Sequence, residues 1–269
     1  MAQAEKSKST KNVPSVSAKQ SAKERRAARE QQQQRQQQII LGILAVALLI
    51  GVIVVVFVST RPKEAFIPDD ALSRYQVFAD KKLQGTTAEG YPFLGDEKAP
   101  VVMEELASLS CIYCKQYHDQ TIVNLLDEIE AGRLKLVFVP IITTGEFQPE
   151  GVTEGALCAA QQDKFWPMQD VAYDWQTRYG VGANDAGTLA AAADKLGMDT
   201  GKFKACLGTQ AVKDIIAKGA AYADKVHLTG TPTVLLDGVK IVPADAGVQS
   251  PDLNQLRGLI ETKAAAAKK

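Results

Sequence analysis

The 269-residue sequence is short of metal ligands, with only four cysteines and two histidines. Of these, only Cys111 and Cys114 stand close together. Zinc usually takes four ligands, and the remainder, Cys158, Cys206, His118 and His227, contains no second close pair. No metal and no small cofactor is therefore expected. Net charge is also lacking, since Lys plus Arg and Asp plus Glu both total 31. The overall balance names no partner, and nucleic acid is not expected as one.

Two segments are marked by what they omit. Residues 39–58 carry no charged or polar side chain over 20 positions, which at helical rise spans roughly 30 Å of hydrocarbon. A cleaved signal peptide has an apolar region of about 7 to 15 residues and a small-residue cleavage site; Val58-Ser59-Thr60-Arg61-Pro62 is a poor one. The run predicts a single transmembrane helix. Residues 1–38 have almost nothing apolar to bury, hold a Gln-rich stretch over 31–38, and carry nine basic against three acidic residues, a charge of +6 that the remainder offsets. Such a tail reads as disordered or weakly helical, and the positive-inside bias places it in the cytoplasm with residues from 59 onward outside. All four cysteines then lie on the oxidising side, where an even set favours disulfides over resting thiols.

Cys111-Ile112-Tyr113-Cys114 organises the rest. Val101 to Leu106 reads as a strand. Lys115 to Ala131 has apolar residues near the helical period with Gly132 as a stop, and Arg133 to Val139 reads as a second strand, parallel to the first. The pair sits at a strand-to-helix junction, where unpaired N–H groups and the helix dipole stabilise a thiolate at Cys111. A permanent disulfide and half a zinc site are the plainer readings, and the junction favours redox exchange. Residues 59–90 read as a linker with a short helix over 71–83, and 91–100 as a turn-rich lead into the first strand. Beyond a loop at 141–152, helical patterns at 153–162, 165–179, 184–196, 199–207 and 210–226 predict an all-helical insert over about 153–228, with Trp166 and Trp175 in its core. Cys158 and Cys206 lie within it among small or apolar neighbours, either as two buried thiols or as a structural disulfide, which the oxidising side favours. Thr233 to Val242 is a hairpin about Asp237-Gly238. Ser250-Pro251-Asp252 opens a last helix to Lys263, and 264–269 reads as a fraying tail. His118 reads as a surface or packing residue. Glu105 reads either as a solvated strand residue or as a buried acid able to take the Cys114 proton.

Strand, Cys-x-x-Cys helix, strand, helical insert, Gly230-Thr231-Pro232-Thr233, hairpin and final helix together resemble the thioredoxin-like α/β fold of the disulfide bond formation protein A (DsbA) family over residues 91–263. The resemblance implies a cis Pro232 facing the cysteine pair, with Thr231 and Pro232, and Ile112 and Tyr113 between the cysteines, where substrate binds. It also implies a buried acid six residues before the first cysteine, at Glu105, and a structural disulfide between Cys158 and Cys206 as in some anchored relatives. Ile112-Tyr113 departs from the Pro-His of the best-known members. The anchor is similar to that of Gram-positive relatives. The expected activity is that of a membrane-anchored, extracytoplasmic thiol oxidase acting on thiols of exported, unfolded proteins, reoxidised by a quinone-linked membrane partner. A reductase or isomerase of the same fold is the alternative within this class, and an anchored binding protein with only structural disulfides the alternative outside it.

Overall fold

The computed structural model describes residues 16–60, 64–244 and 250–267. Expectations for residues 1–15, 61–63 and 268–269 fall outside it. The chain divides into two units, residues 1–61 and 62–269. The first contains α1 (Val16–Thr60), a helix of 45 residues. It begins well before the apolar run, so the Gln-rich stretch expected to be disordered or weakly helical is helix. Ala, Gln, Arg, Lys and Glu are good helix formers, and once nucleated a helix extends at little cost. Gln31–Ile53 is long and apolar enough to cross a membrane and is fully exposed. It overlaps the expected 39–58 span.

In the second unit β1 (Gln84–Thr86), β2 (Pro92–Leu94), β3 (Val101–Ala107), β4 (Leu134–Pro140), β5 (Thr233–Leu236) and β6 (Val239–Lys240) form one sheet in the order β1-β2-β4-β3-β5-β6. β3 and β4 are parallel, from Val101 opposite Leu134 to Ala107 opposite Pro140. These two central strands are mostly buried and accordingly rich in Val and Leu. The other pairings are antiparallel. Met103 faces Leu236 and Leu106 faces Thr233, which brings the residues just before β5 level with the end of β3. Asp237 and Gly238 both have positive φ, as a two-residue turn of this hand requires. β1 and β2 were not anticipated. Each is three residues long and interrupted by Gly85 or Pro92, too short to show alternation, yet β2 pairs along the free edge of β4.

Within the expected linker at 59–90, residues 64–90 are instead a packed segment. Ala65, Ala71, Tyr75 and Phe78 are each at most 3% exposed, and α2 (Gln76–Asp80) is one turn of a short helical stretch. Trp175 donates its indole N–H to the Phe66 carbonyl at 2.8 Å, and Lys195 reaches the Ala65 carbonyl at 2.8 Å. The single helix expected after the cysteine pair is broken into α3 (Ile112–Tyr117), a π-helical turn over His118–Ile122, a 3-10 turn and α4 (Leu126–Glu130). The wide turn coincides with a buried His118, as such bulges often do at specialised positions.

The insert comprises α5 (Glu150–Ala160), α6 (Phe165–Arg178), α7 (Ala186–Lys195), α8 (Thr200–Cys206) and α9 (Gln210–Lys225), without a strand among its described residues. Asp185 and Asp199 cap α7 and α8. Trp166, Trp175, Tyr173, Phe78, Phe138 and Phe203 are the largest fully buried side chains, each contributing about 1.5 to 3 kcal/mol or more on burial. A smaller apolar cluster, including Phe93, Val137, Val139 and Ala223, lies on the other side of the sheet. α9 meets the sheet there so closely that a Cβ on Gly219 would fall 2.3 Å from the Pro140 carbonyl oxygen. α10 (Leu253–Ala266) starts later than expected, because Asp252 accepts from the Gln255 N–H and is the cap. Ser250 instead donates to the Pro232 carbonyl at 2.6 Å. Ala264, placed in the fraying tail, is helical and buried.

Candidate active site

β3 ends at Ala107, and three residues later the chain turns into α3 with Cys111 as its N-cap, in extended conformation. Ser108 donates its N–H to the Cys114 sulfur at 3.4 Å, and Ser110 donates its hydroxyl to the Phe147 carbonyl at 2.6 Å. These bonds fix the turn from both sides. Cys111 and Cys114 are both unbridged, the first 7% exposed and the second fully buried.

Their acidities are driven apart. A hydrogen bond from the Cys114 thiol is the main cause that lowers the Cys111 pKa to about 5. Burial opposes it, while the Thr231 side chain and the N–H groups of Cys114 and Tyr113 assist. Burial raises the Cys114 thiol well above its ordinary value, and the bond to Cys111 raises it further. At neutral pH Cys111 is thus a thiolate and Cys114 a thiol, one turn apart on the same helix.

The antiparallel register of β5 delivers Thr231 and Pro232 to this turn. The Thr231–Pro232 peptide bond is cis, and the Cys111 sulfur lies 3.4 Å from the Thr231 carbonyl oxygen. Ile112 and Tyr113 are the most exposed part of the motif, at 38% and 63%. Glu105 lies on β3 opposite Val234 and is fully buried. Neither of its carboxylate oxygens has a hydrogen-bond partner among the described residues. Burial raises its pKa to about 7, with nearby His118 pulling the other way. The solvated-strand reading of Glu105 is thereby excluded. Tyr173 of α6 is close enough to feel the charges of Glu105 and Cys114, though burial is the chief reason its own hydroxyl is held far above its usual pKa.

Cys158 and Cys206 are joined by a disulfide within the insert, tying α5 to the end of α8 with 5.7 Å between Cα atoms. His118 is 1% exposed and so not a surface residue. Its Nε2 lies 2.8 Å from Asp170, which also receives the Tyr75 hydroxyl and pairs with Arg74. Among the described residues no group of three or more Cys, His, Asp and Glu side chains is placed to hold a metal ion.

Three contributors carried no sequence signal. Gln176 of α6 donates to the carbonyls of Leu109 and Cys111. Ser108 braces Cys114, and Thr144 lies 2.7 Å from the Thr231 hydroxyl. The partners of Gln176 and Thr144 are remote in sequence, and Ser108 acts through its backbone N–H, which any residue but proline would offer, so no local spacing marks them.

The thioredoxin family model matches residues 87–262. A probable disulfide bond formation protein D of Bacillus anthracis is 26% identical over 194 residues, which cover 70% of this chain and 86% of that one. In fold, the chain is similar to oxidised BdbD from Bacillus subtilis, with a TM-score of 0.56 at 19% identity over 68% of this chain and 98% of that one. It is also similar to MdbA, a thiol-disulfide oxidoreductase from Corynebacterium matruchotii, with a TM-score of 0.52 at 22% identity over 63% and 94%.

Proposed function

The chain belongs to the thioredoxin family and is a DsbA-like thiol:disulfide oxidoreductase acting on substrate thiols, and on that premise we propose that it is an oxidase, held to the outer face of a membrane, that introduces disulfides into exported proteins. The observation that carries the direction is the gap in acidity between Cys111, lowered to about 5, and Cys114, raised by burial. A thiolate so stabilised is a good leaving group and favours the reduced form of the pair, which makes its disulfide oxidising.

In the oxidised pair, a substrate thiolate attacks the Cys111 sulfur. The Cys111–Cys114 bond breaks, a mixed disulfide forms, and Cys114 leaves and takes up a proton. A second substrate thiolate then attacks the substrate sulfur of the mixed disulfide, the substrate disulfide closes, and Cys111 departs as thiolate. Two electrons pass to the pair. Return to the oxidised state transfers them to a disulfide of a quinone-linked membrane partner. There Cys111 attacks first, and Cys114 must lose its proton to close the bond. Glu105, buried and with a pKa near neutrality, is the residue we assign to accept it. The backbone at Thr231 and cis Pro232, beside the exposed Ile112 and Tyr113, is the place we assign to the substrate chain. The apolar stretch Gln31–Ile53 of α1 supports the anchor, and the basic residues before it support a cytoplasmic N-terminus.

The test is trapping in intact cells. The Cys114→Ser chain should accumulate mixed disulfides with exported proteins, released by a membrane-impermeant reductant, whereas Cys111→Ser should trap none. Trapping through Cys114, or only on the cytoplasmic side, would contradict the reading.

A further inference from the structure

Side chains along β3 alternate between the two faces of the sheet. Val101 and Met103 pack with Cys111 and Cys114, whereas Val102 packs with the smaller cluster on the opposite face. Glu104 shares the Val102 side. α9 covers that side only in part: it is closest where Gly219 meets Pro140, at the end of β4. Toward the starts of β3 and β4 it leaves a cleft of about 550 Å³, a size suited to a small molecule. Val102, Glu104, Lys135 and Val137 line it from the sheet, and Lys218, Tyr222 and Lys225 from α9. The loop from Thr87 to Tyr91 lines it too and is already fixed. Thr87 donates its N–H to the Tyr91 carbonyl at 2.8 Å and Gly90 to the Thr87 carbonyl at 2.9 Å. Gly90 has φ +93° and lies where a Cβ would meet the Ile215 side chain at 2.8 Å, so the loop rests on α9 as only glycine permits.

The polar groups around this cleft are only partly engaged. Lys135 stands 5.5 Å from the Phe93 ring and 3.4 Å from the Glu97 carbonyl, and Lys218 is 3.4 Å from the Glu89 carbonyl. Both hydrogen bonds are long for N–H to O contacts. Among the described residues Lys225 has no partner, and none of the three lysines forms an ion pair. Glu104 receives the Tyr222 hydroxyl on one carboxylate oxygen at 2.8 Å, which leaves the other free to accept. Tyr91 is 6% exposed, and its hydroxyl has no hydrogen-bond partner among the described residues. With Glu89 at the rim, three positive charges meet two negative ones. A molecule with an acid at one end and a donor at the other answers both signs, where a simple ion answers one. We propose that the cleft binds a small aromatic acid carrying a hydroxyl or amine donor, with the acid on the lysines, the donor on Glu104, and the ring on Val102 and Val137 beside Tyr91 and Tyr222. The site lies across the sheet from Cys111, so its occupant is not a substrate of the thiol exchange.

The experiment titrates the full chain in detergent with two probes, 3-(4-hydroxyphenyl)propionate and its analogue without the hydroxyl, 3-phenylpropionate, and reads Kd from saturation-transfer NMR. Both should bind saturably, the hydroxylated acid about three- to tenfold more tightly, the worth of one hydrogen bond. Lys135→Gln, Lys218→Gln and Lys225→Gln together should weaken both acids at least tenfold, whereas Lys202→Gln, on the exposed face of α8, should change neither. In Glu104→Gln, where an amide can still meet the Tyr222 hydroxyl, the preference for the hydroxylated acid should shrink toward parity. Circular dichroism of each variant confirms that it is folded. Failure of both acids to bind saturably, binding indifferent to the triple lysine change, or a hydroxyl preference undiminished in Glu104→Gln would each overturn the proposal. So would saturable binding of an acidic peptide where neither acid binds, which would assign the cleft to a protein partner.

Discussion

Gln176 donates its side-chain amide to the carbonyl oxygen of Cys111 at 3.1 Å, and to that of Leu109 at 2.9 Å. The helical insert thus grips the backbone that carries the reactive thiol. Gln176→Leu leaves both carbonyls without this donor in a partly buried place and should cost about 1 to 3 kcal/mol in urea unfolding. The Cys111 thiolate should also react less selectively with small disulfides. Unchanged stability and reactivity would mean that α6 is only a cover.

Glu105 makes stability depend on pH in a definite direction. Its folded pKa is about 7 against 4.5 for the free group. Across that window the unfolded chain has released the proton and the folded chain still holds it, so stability falls as pH rises, by about 3 kcal/mol in all, and levels off above 7. Glu105→Gln removes the effect, and should gain about that much on the parent between pH 4.5 and 7.5. Cys111 acts oppositely, its contribution growing as pH rises above about 5, but both chains carry it and it cancels. A constant difference between the two chains would contradict the assignment.

The Cys158–Cys206 disulfide closes a loop with a sequence separation of 48. The chain-entropy model gives it about 4 kcal/mol. The Cys158→Ser, Cys206→Ser double variant should lose stability on that scale by denaturant unfolding and retain thiol oxidation. Peptide mapping that joined either residue to Cys111 or Cys114 at rest would contradict the division of labour.

What could be read from the sequence follows the range of the forces involved. The insert helices announce themselves by apolar spacing and by stops such as Gly197, and the hairpin by Asp237-Gly238, because those signals are local. β1 and β2 exist only because β4 has an edge to cover. Phe66 and Tyr75 belong to the domain through Trp175 and Trp166 of α6, about 90 to 110 residues away, which no local pattern encodes. At the site, the pair's position at a helix start was legible from Cys111 to Cys114, and so was a carboxyl at Glu105. Its burial was implied only by the family resemblance and left open by the residues themselves, since it depends on what packs over β3. Thr144 and Gln176 act through contacts 87 and 65 residues away, which no spacing rule encodes.

The reduction potential of the Cys111–Cys114 pair, measured against glutathione in the full chain, bears most directly on the central claim. Reference dithiols run from about −270 mV for thioredoxin to about −120 mV for DsbA. With Cys111 held near a pKa of about 5, the expected result is a value at the oxidising end, above about −180 mV. A value at or below about −250 mV would make the protein a reductase and contradict the oxidase reading.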